Sequence, residues 1–436
     1  MARPLVGFHD GCALHGALAT AAAIEGVTPL VHSTPGCALR GAFATTASSG
    51  FRGAPIHLSP ISSTNLAEKH IVFGGASRLR EQIKNTLSVL PRGLLVVITG
   101  CPTEMIGDDV PAMVREAVTQ GEAVVEVGAA GFLGSAHRGY ERVLAVLAER
   151  LPDLRLPSEP PAQNLVNIFG VVPRYDESWA SDLDEIGRLL GGVGLTANPI
   201  FGPGGGLSSL AALPNAVASL VLSPWGLAPA EALRRQAGVP VVVADGLPVG
   251  ADAVEKLVRQ LAEATGAVEE PAIARLLNSE RRYEDFALDE TLDALTRLGR
   301  RRVALVGPSL LGGSLARFLV STLGFEASAL VLTDEPDGAE ELAPEGAGRV
   351  VATADGVEAA EAIRASGADF LIAGARYGAL AAELGIPHAV IGDLGGRASL
   401  SGGFVGARGA GRLLAALTSA PAASKAAAPR LAVAAQ

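Results

Sequence analysis

The stretch Leu94-Leu95-Val96-Val97-Ile98-Thr99-Gly100-Cys101-Pro102 sets the fold class. Its apolar run has no polar alternation and is bounded by Gly93 and Gly100. Such a run reads as a parallel strand covered on both faces, and the Gly-Cys-Pro turn falls at its carboxyl end, where open α/β sheets form ligand sites. Comparable runs recur at 166–172, 219–222, 239–244, 303–306, 329–333, 349–352, 370–373 and 389–391. Helical patterns lie between them: in 181–190, Leu183, Ile186, Leu189 and Leu190 fall on one face, and 253–264 behaves similarly. Strand–helix alternation along the whole chain means α/β, with mainly parallel sheets and right-handed crossovers.

The 436 residues divide into three Rossmann-like domains. The first spans 1–163 and closes on a Pro/Glu-rich connector at 152–161. The second spans 164–290 and ends in the charged stretch 280–290. The third spans 291–418, and 419–436 is an Ala/Pro-rich C-terminal tail. Hydrophobic residues make up 49% and charged residues 18%, enough for several cores and too apolar for a disordered chain. The formal net charge of −10 argues against a nucleic-acid-binding surface. No apolar run approaches the roughly 18–20 residues of a membrane span. His9, Asp10 and His15 interrupt the N-terminal region, so no signal peptide is expected and the cytoplasm is the expected location.

Most motifs favour plain structural readings. Residues 307–314 follow a strand and precede a helix, but their glycine spacing is not that of a dinucleotide-binding or Walker loop, so an ordinary strand-to-helix turn is expected. Neither a His-Glu-x-x-His pair nor a G-x-S-x-G elbow occurs, which disfavours a zinc or serine hydrolase. Asp108 and Asp109 read as caps of the helix that follows them. The three cysteines, Cys12, Cys37 and Cys101, are an odd number in a long chain, which points away from a disulfide framework and towards a reducing compartment. All three lie next to Gly or Pro. Taken alone they fit either unrelated core thiols or metal ligands. As ligands they leave an iron–sulfur cluster one thiolate short, to be completed from elsewhere in the chain or by a second subunit.

Further stretches resemble a known family. Cys12 with Gly16-Ala17, Leu30-Val31-His32 running into Gly36-Cys37, Ser62-Ser63-Thr64 with Glu68, and Val72-Phe73-Gly74-Gly75 are followed by Thr99-Gly100-Cys101-Pro102-Thr103-Glu104-Met105-Ile106-Gly107-Asp108-Asp109-Val110. Gly131-Phe132-Leu133-Gly134-Ser135, Gly139-Tyr140, Val166-Asn167-Ile168, Asp182-Leu183-Asp184-Glu185-Ile186 and Arg376-Tyr377-Gly378 continue the match. In this order they resemble the component 1 proteins of nitrogenase and the nitrogenase-like reductases over nearly the whole chain. The resemblance implies an oxidoreductase with three α/β domains and an α2β2 assembly with a homologous α-type subunit. An ATP-dependent iron–sulfur reductase homodimer would dock transiently to deliver electrons. Cys12, Cys37 and Cys101 match the three ligand positions that one subunit gives to a shared P-cluster-like 8Fe-7S cluster. Gly11, Gly36, Gly100 and Pro102 would shape the cage, and His32, Ser62 or Ser63 would donate hydrogen bonds to it. No cysteine follows Cys101, and His388 reads as a strand entrance, so the β-type subunit, which lacks the catalytic cluster and relays electrons, is the expected role. Only eleven residues precede Cys12, where molybdenum-nitrogenase β subunits carry a long extension. The preferred subgroup is therefore the methylthio-alkane reductases, which reduce C–S bonds. A nitrogenase β subunit proper, a cofactor-assembly scaffold subunit, and a tetrapyrrole reductase subunit with a 4Fe-4S cluster are the alternatives.

Overall fold

The computed structural model describes residues 11–46, 61–89, 93–157, 162–202, 204–392 and 402–420, with side chains left undescribed at 41–46. Most of the C-terminal tail and part of the 152–161 connector lie outside the described residues. The first parallel sheet has the order β2-β1-β3-β4, from β1 (Val27–His32), β2 (Ser62–Ser63), β3 (Leu94–Thr99) and β4 (Val124–Gly128). Helices α1 (Ala13–Ala23), α2 (Pro35–Thr46), α3 (Glu68–Phe73), α4 (Ala76–Val89), α5 (Cys101–Ile106), α6 (Val110–Thr119) and α7 (Ala136–Arg150) surround it. Every residue of β3 is buried, and its two faces serve different cores. Val96 and Ile98 pack with Leu14, Leu18, Tyr140 and Leu144 of α1 and α7. Leu95 and Val97 pack with Leu79, Ile83, Val110 and Val114 of α4 and α6. This two-sided cover explains the missing polar alternation.

The second sheet, in the order β6-β5-β7-β8, contains β5 (Leu165–Phe169), β6 (Thr196–Asn198), β7 (Ala218–Val221) and β8 (Val241–Val243). Its helices are α8 (Trp179–Gly192), α9 (Leu207–Ala212), α10 (Leu227–Ala237), α11 (Ala251–Thr265) and the 29-residue α12 (Glu270–Leu298). The third sheet, in the order β11-β10-β9-β12-β13, contains β9 (Arg302–Gly307), β10 (Glu326–Leu332), β11 (Arg349–Ala352), β12 (Phe370–Ala373) and β13 (His388–Val390). Helices α13 (Ser309–Ser321), α14 (Gly356–Ala365), α15 (Gly378–Leu384) and α16 (Gly406–Thr418) accompany or follow it. The α/β class with three parallel sheets is thus as read from the sequence. Two features differ from local reading. The charged stretch 280–290 lies inside α12 and does not end an element. Residues 402–418, grouped by sequence with the third sheet, return to the second: Gly250 N donates to Gly406 O at 3.1 Å, Ala407 N to Glu280 Oε2 at 2.9 Å, and Phe404 N to Asp182 Oδ1 at 2.7 Å.

The strand-to-helix turn after β9 is explained by what fills it. The Asp334 carboxylate accepts from Ser309 N at 2.8 Å, Ser309 Oγ at 2.5 Å and Trp225 Nε1 at 2.7 Å. Ser135 Oγ donates to the Asp334 carbonyl at 2.8 Å. An anion already occupies the start of α13, and residues near all three sheets are tied at one point. No helix among the described residues is long and apolar enough to cross a membrane.

Asp182 gives the second unit a pH signature. The side chain is 1% exposed and accepts from Ser178 Oγ at 2.5 Å as well as from Phe404 N. Burial raises its pKa to about 6, against the hydrogen bonds from Ser178 and Phe404. The folded state therefore holds this proton more tightly than the unfolded chain. The stability it contributes is present below the unfolded carboxyl pKa and is lost as pH rises through about 6. Asp182→Asn keeps an acceptor for Phe404 N and removes the buried charge. The variant is expected to gain roughly 2 kcal/mol over the wild type at pH 8, with the difference closing towards pH 4. Denaturant unfolding at the two pH values checks this, and a pH-independent difference would contradict it.

Candidate metal centre

All three cysteines stand at helix starts on one side of the first sheet. β1 and β3 are adjacent and in register from Val27↔Leu94 to His32↔Thr99, so the turns leaving them emerge side by side. Cys37 lies in the first turn of α2 after β1, and Cys101 is the first residue of α5 after β3. Cys12 is the N-cap residue of α1, in extended conformation, and bridges Ser135 at the start of α7, while Ala13 N donates to Gly134 O at 3.0 Å. Helix α1 is held against α7 by two glycines with no room for a side chain. A Cβ on Gly16 would meet the Ala136 carbonyl, and one on Gly139 would meet the backbone of Ala13 and Ala17.

Two of the thiols, those of Cys12 and Cys101, share Gly131. Its N–H donates to Cys101 Sγ at 3.0 Å, and a Cβ there would sit 3.1 Å from Cys12 Sγ and 3.2 Å from Cys101 Sγ. Thr34 Oγ1 lies 3.9 Å from Cys37 Sγ. All three cysteines are partly buried and free of disulfides. Burial pushes the Cys12 thiol up, the backbone amides of His15 and Leu14 pull it down, and the other two cysteines add repulsion. Among the described residues no group of three or more His, Cys, Asp or Glu side chains closes on a single metal ion. The donor set is soft thiolate with helix starts behind it, and the glycine cradle keeps bulk away, which fits an iron–sulfur cluster better than a lone hard cation.

The residues expected around the cage divide. Gly11 is needed for close approach, since a Cβ would lie 2.7 Å from Tyr175 Oη and 2.8 Å from His15 Cβ. Gly100 is wedged against Ser33, whose Cβ would be 2.7 Å away. A Cβ on Gly36 would meet nothing within 4 Å. His32 does not face the thiols as a donor: Nδ1 pairs with Thr64 Oγ1 and Nε2 with Asp108 Oδ2, each at 3.1 Å. Burial lowers its pKa and Asp108 opposes the shift. Ser62 Oγ is engaged by Thr86 Oγ1 at 2.6 Å and Gln82 Nε2 at 2.9 Å, and Ser63 Oγ accepts from Asn65 N at 3.2 Å. Both serines line a separate cavity of about 790 Å³ with Gly36, Leu39 and Arg78. Their hydrogen bonds are local because β2 is a two-residue edge strand packed beside α4.

The aspartate pair splits in the same way. Asp109 caps α6, accepting from Ala112 N at 3.0 Å, as expected. Asp108 does not cap but clamps Gly75 N at 2.8 Å together with His32. His388 opens β13 and its Nε2 lies 3.1 Å from the Ala373 carbonyl. Sequence reading missed His15. One turn after Cys12 on α1, it places Nδ1 3.2 Å from Cys12 Sγ. Burial, Arg40 and Arg174 hold its pKa down to about 4. The i, i+3 spacing from Cys12 was the available signal.

An α/β chain of three parallel sheets with a cysteine at each of three helix starts carries the soft donor set that metallocluster-binding redox proteins use. The model of the nitrogenase component 1 type oxidoreductases matches residues 12–420, and the chain belongs to that family. Similar curated proteins include the nitrogenase molybdenum-iron protein beta chain of Klebsiella pneumoniae, 25% identical over 288 residues, 62% of this chain and 54% of that protein. The beta chain of Clostridium pasteurianum is 25% identical over 270 residues, 56% and 55% of the two chains. The nitrogenase iron-molybdenum cofactor biosynthesis protein NifE of Bradyrhizobium diazoefficiens is 32% identical over 137 residues, 29% and 24% of the two. The chain spans about half the length of the curated relatives it matches. The solved structure of nitrogenase Cp1 at pH 6.5 shares the fold with a TM-score of 0.76 at 22% identity, covering 96% of this chain and 93% of that one.

Proposed function

We propose that this chain is the β-type subunit of a nitrogenase-like reductase complex, and that Cys12, Cys37 and Cys101 hold half of an iron–sulfur cluster completed by an α-type partner in an α2β2 assembly. The observation that carries this reading is the pairing of Cys12 and Cys101 on the Gly131 cradle, with Cys37 at the helix start after the adjacent, in-register strand β1. Exposed apolar side chains beside them support a subunit contact there. Met105 on α5 is 78% exposed, and Phe132, next to Gly131, is 63% exposed. The beta-chain relatives support the β-type assignment.

When bound, such a cluster stores and passes on single electrons delivered by an ATP-dependent iron–sulfur reductase. The chain's own residues bind and shield. The three sulfurs ligate iron as thiolates, and the positive ends of α1, α2 and α5 favour that charge. Gly131 N holds the Cys101 sulfur, and Gly11 and Gly100 let backbone approach. Met105 and Phe132 exclude water once a partner covers them. No residue of this chain is assigned a catalytic role. Free thiols suit a reducing cytoplasm.

Iron analysis of the complex purified anaerobically with its partner is the test. About eight irons per αβ pair are expected for a P-cluster-like 8Fe-7S site. About four would move the reading to a 4Fe-4S site of the tetrapyrrole-reductase kind, and none would overturn it. The cofactor-assembly reading draws on the likeness to NifE and differs in turning over no substrate. Substrate choice lies with the partner's cluster, so the methylthio-alkane proposal is tested on the whole complex. Hydrocarbon release from a methylthio compound supports it, and ammonia from dinitrogen in its place assigns a nitrogenase β subunit proper.

A further inference from the structure

His15 is neither a cysteine ligand nor part of any pattern that marked the site, yet its ring sits inside it. The residue is 8% exposed, and Nδ1 lies 3.2 Å from Cys12 Sγ. Nε2 is buried and makes no hydrogen bond among the described residues. A metal-bound thiolate only accepts hydrogen bonds. With Nε2 unbonded, the single proton of a neutral imidazole is best placed on Nδ1, where it points at sulfur. Two cations act electrostatically on the imidazole. Arg174 is held in the left-handed region at φ 76°, with its guanidinium 5.3 Å from the Tyr175 ring centre, and the exposed Arg40 acts on the same imidazole. A bulky residue in that conformation is strained and persists only where surrounding structure imposes it. Gly11 completes the enclosure, because a side chain there would strike both Tyr175 and His15.

We propose that His15 is a positioning residue acting through Cys12: its Nδ1–H donates to the Cys12 thiolate and raises the reduction potential of the cluster that this thiolate binds. The inference rests on the cluster reading above. A hydrogen bond to a ligating sulfur withdraws electron density from the iron–sulfur bond and stabilises the reduced, more negative form. No bond to iron is made or broken by His15, and the proton stays on Nδ1.

The experiment compares wild type, His15→Leu and His15→Asn in the purified complex, by iron content, midpoint potential, and nitrogen hyperfine coupling after 15N-histidine labelling. Leu removes the donor at similar bulk, whereas the Asn amide nitrogen takes the place of Nδ1. Wild type is expected to show a 15N coupling that His15→Leu lacks. At full iron content, His15→Leu is expected to shift the oxidised-to-reduced ratio at fixed poise about tenfold towards oxidised, about 59 mV for a one-electron couple. His15→Asn is expected to return most of that shift. An unchanged potential in His15→Leu at full iron overturns the proposal, as does an Asn variant shifted as far as Leu. If His15→Leu cannot hold iron, the wild-type coupling and the Asn potential decide: a missing coupling or a fully shifted Asn variant overturns the proposal. A wild-type complex without iron would sink the cluster reading itself, whereas an iron-loaded complex indifferent to residue 15 would sink this inference alone.

Discussion

Replacing Cys101 with alanine is expected to strip most of the iron from the complex while leaving the chain folded. The substitution removes one sulfur from the first residue of α5, where alanine suits the helix. It leaves Gly131 N without its acceptor, a cost of roughly 1–2 kcal/mol at a partly buried site and far below the stability of a chain with three cores. The effect on metal binding is much larger. Cys101 is the residue that Gly131 ties to Cys12, so its loss removes a ligand and the group that orients the neighbouring one. Iron per αβ pair should fall by more than half, while circular dichroism and the unfolding midpoint stay close to wild type. Full iron with normal electron transfer would refute the ligand assignment, and global unfolding would show that Cys101 belongs to the core. Cys12→Ala is the less clean variant, because Cys12 also contacts His15 and bridges Ser135.

The parts of this molecule legible in its sequence are those fixed by near neighbours. The run Leu94–Thr99 announces a strand buried on both faces, because covering α1 and α7 on one side and α4 and α6 on the other leaves no position for a polar residue. Asp109 announces a cap, because its partner Ala112 is three residues away. The placement of Cys12 and Cys101 beside one glycine was not legible, because Gly131 lies far from both in sequence. What escaped are contacts between distant segments. Asp108 looks like a second cap, yet its partners are His32 and Gly75. Nothing near Asp334 foretells that Trp225 and Ser135 will meet it. The return of 402–418 to α8 and α12 depends on Asp182 and Glu280 offering carboxylates to the backbone of Phe404 and Ala407. The partners of His32, Ser62 and Ser63 were hidden for a related reason: Thr64 and Asp108 for His32, and Thr86 and Gln82 for Ser62, come from other segments.

Gly139→Ala is expected to be among the most damaging single-methyl changes in the first unit. A Cβ at this position would lie on the Ala13 carbonyl oxygen and 2.5 Å from Ala17 N. Both are backbone atoms of a buried helix, so no side chain can turn aside to make room. Gly16 faces the same constraint from the opposite helix, against Ala136. Relief requires α1 to move off α7, which opens the core around Leu18, Tyr140 and Leu144. Overpacking of this kind costs about 1–3 kcal/mol where neighbours can give, and here the cost should reach about 3 kcal/mol or more. Cys12 caps α1 and Ser135 begins α7, so the same displacement pulls a thiol away from Gly131. Stability and iron content should therefore fall together, unlike Cys101→Ala, in which iron alone falls. Gly191→Ala is the control. That glycine lies near the end of α8 with nothing within 4 Å of its Cβ position, so alanine there should be neutral or stabilising by up to about 1 kcal/mol. Denaturant unfolding and iron analysis on the three variants separate the cases. If Gly139→Ala proves as stable as Gly191→Ala, α1 does not cross α7 at these two glycines, and the placement of Cys12 argued from that crossing fails with it.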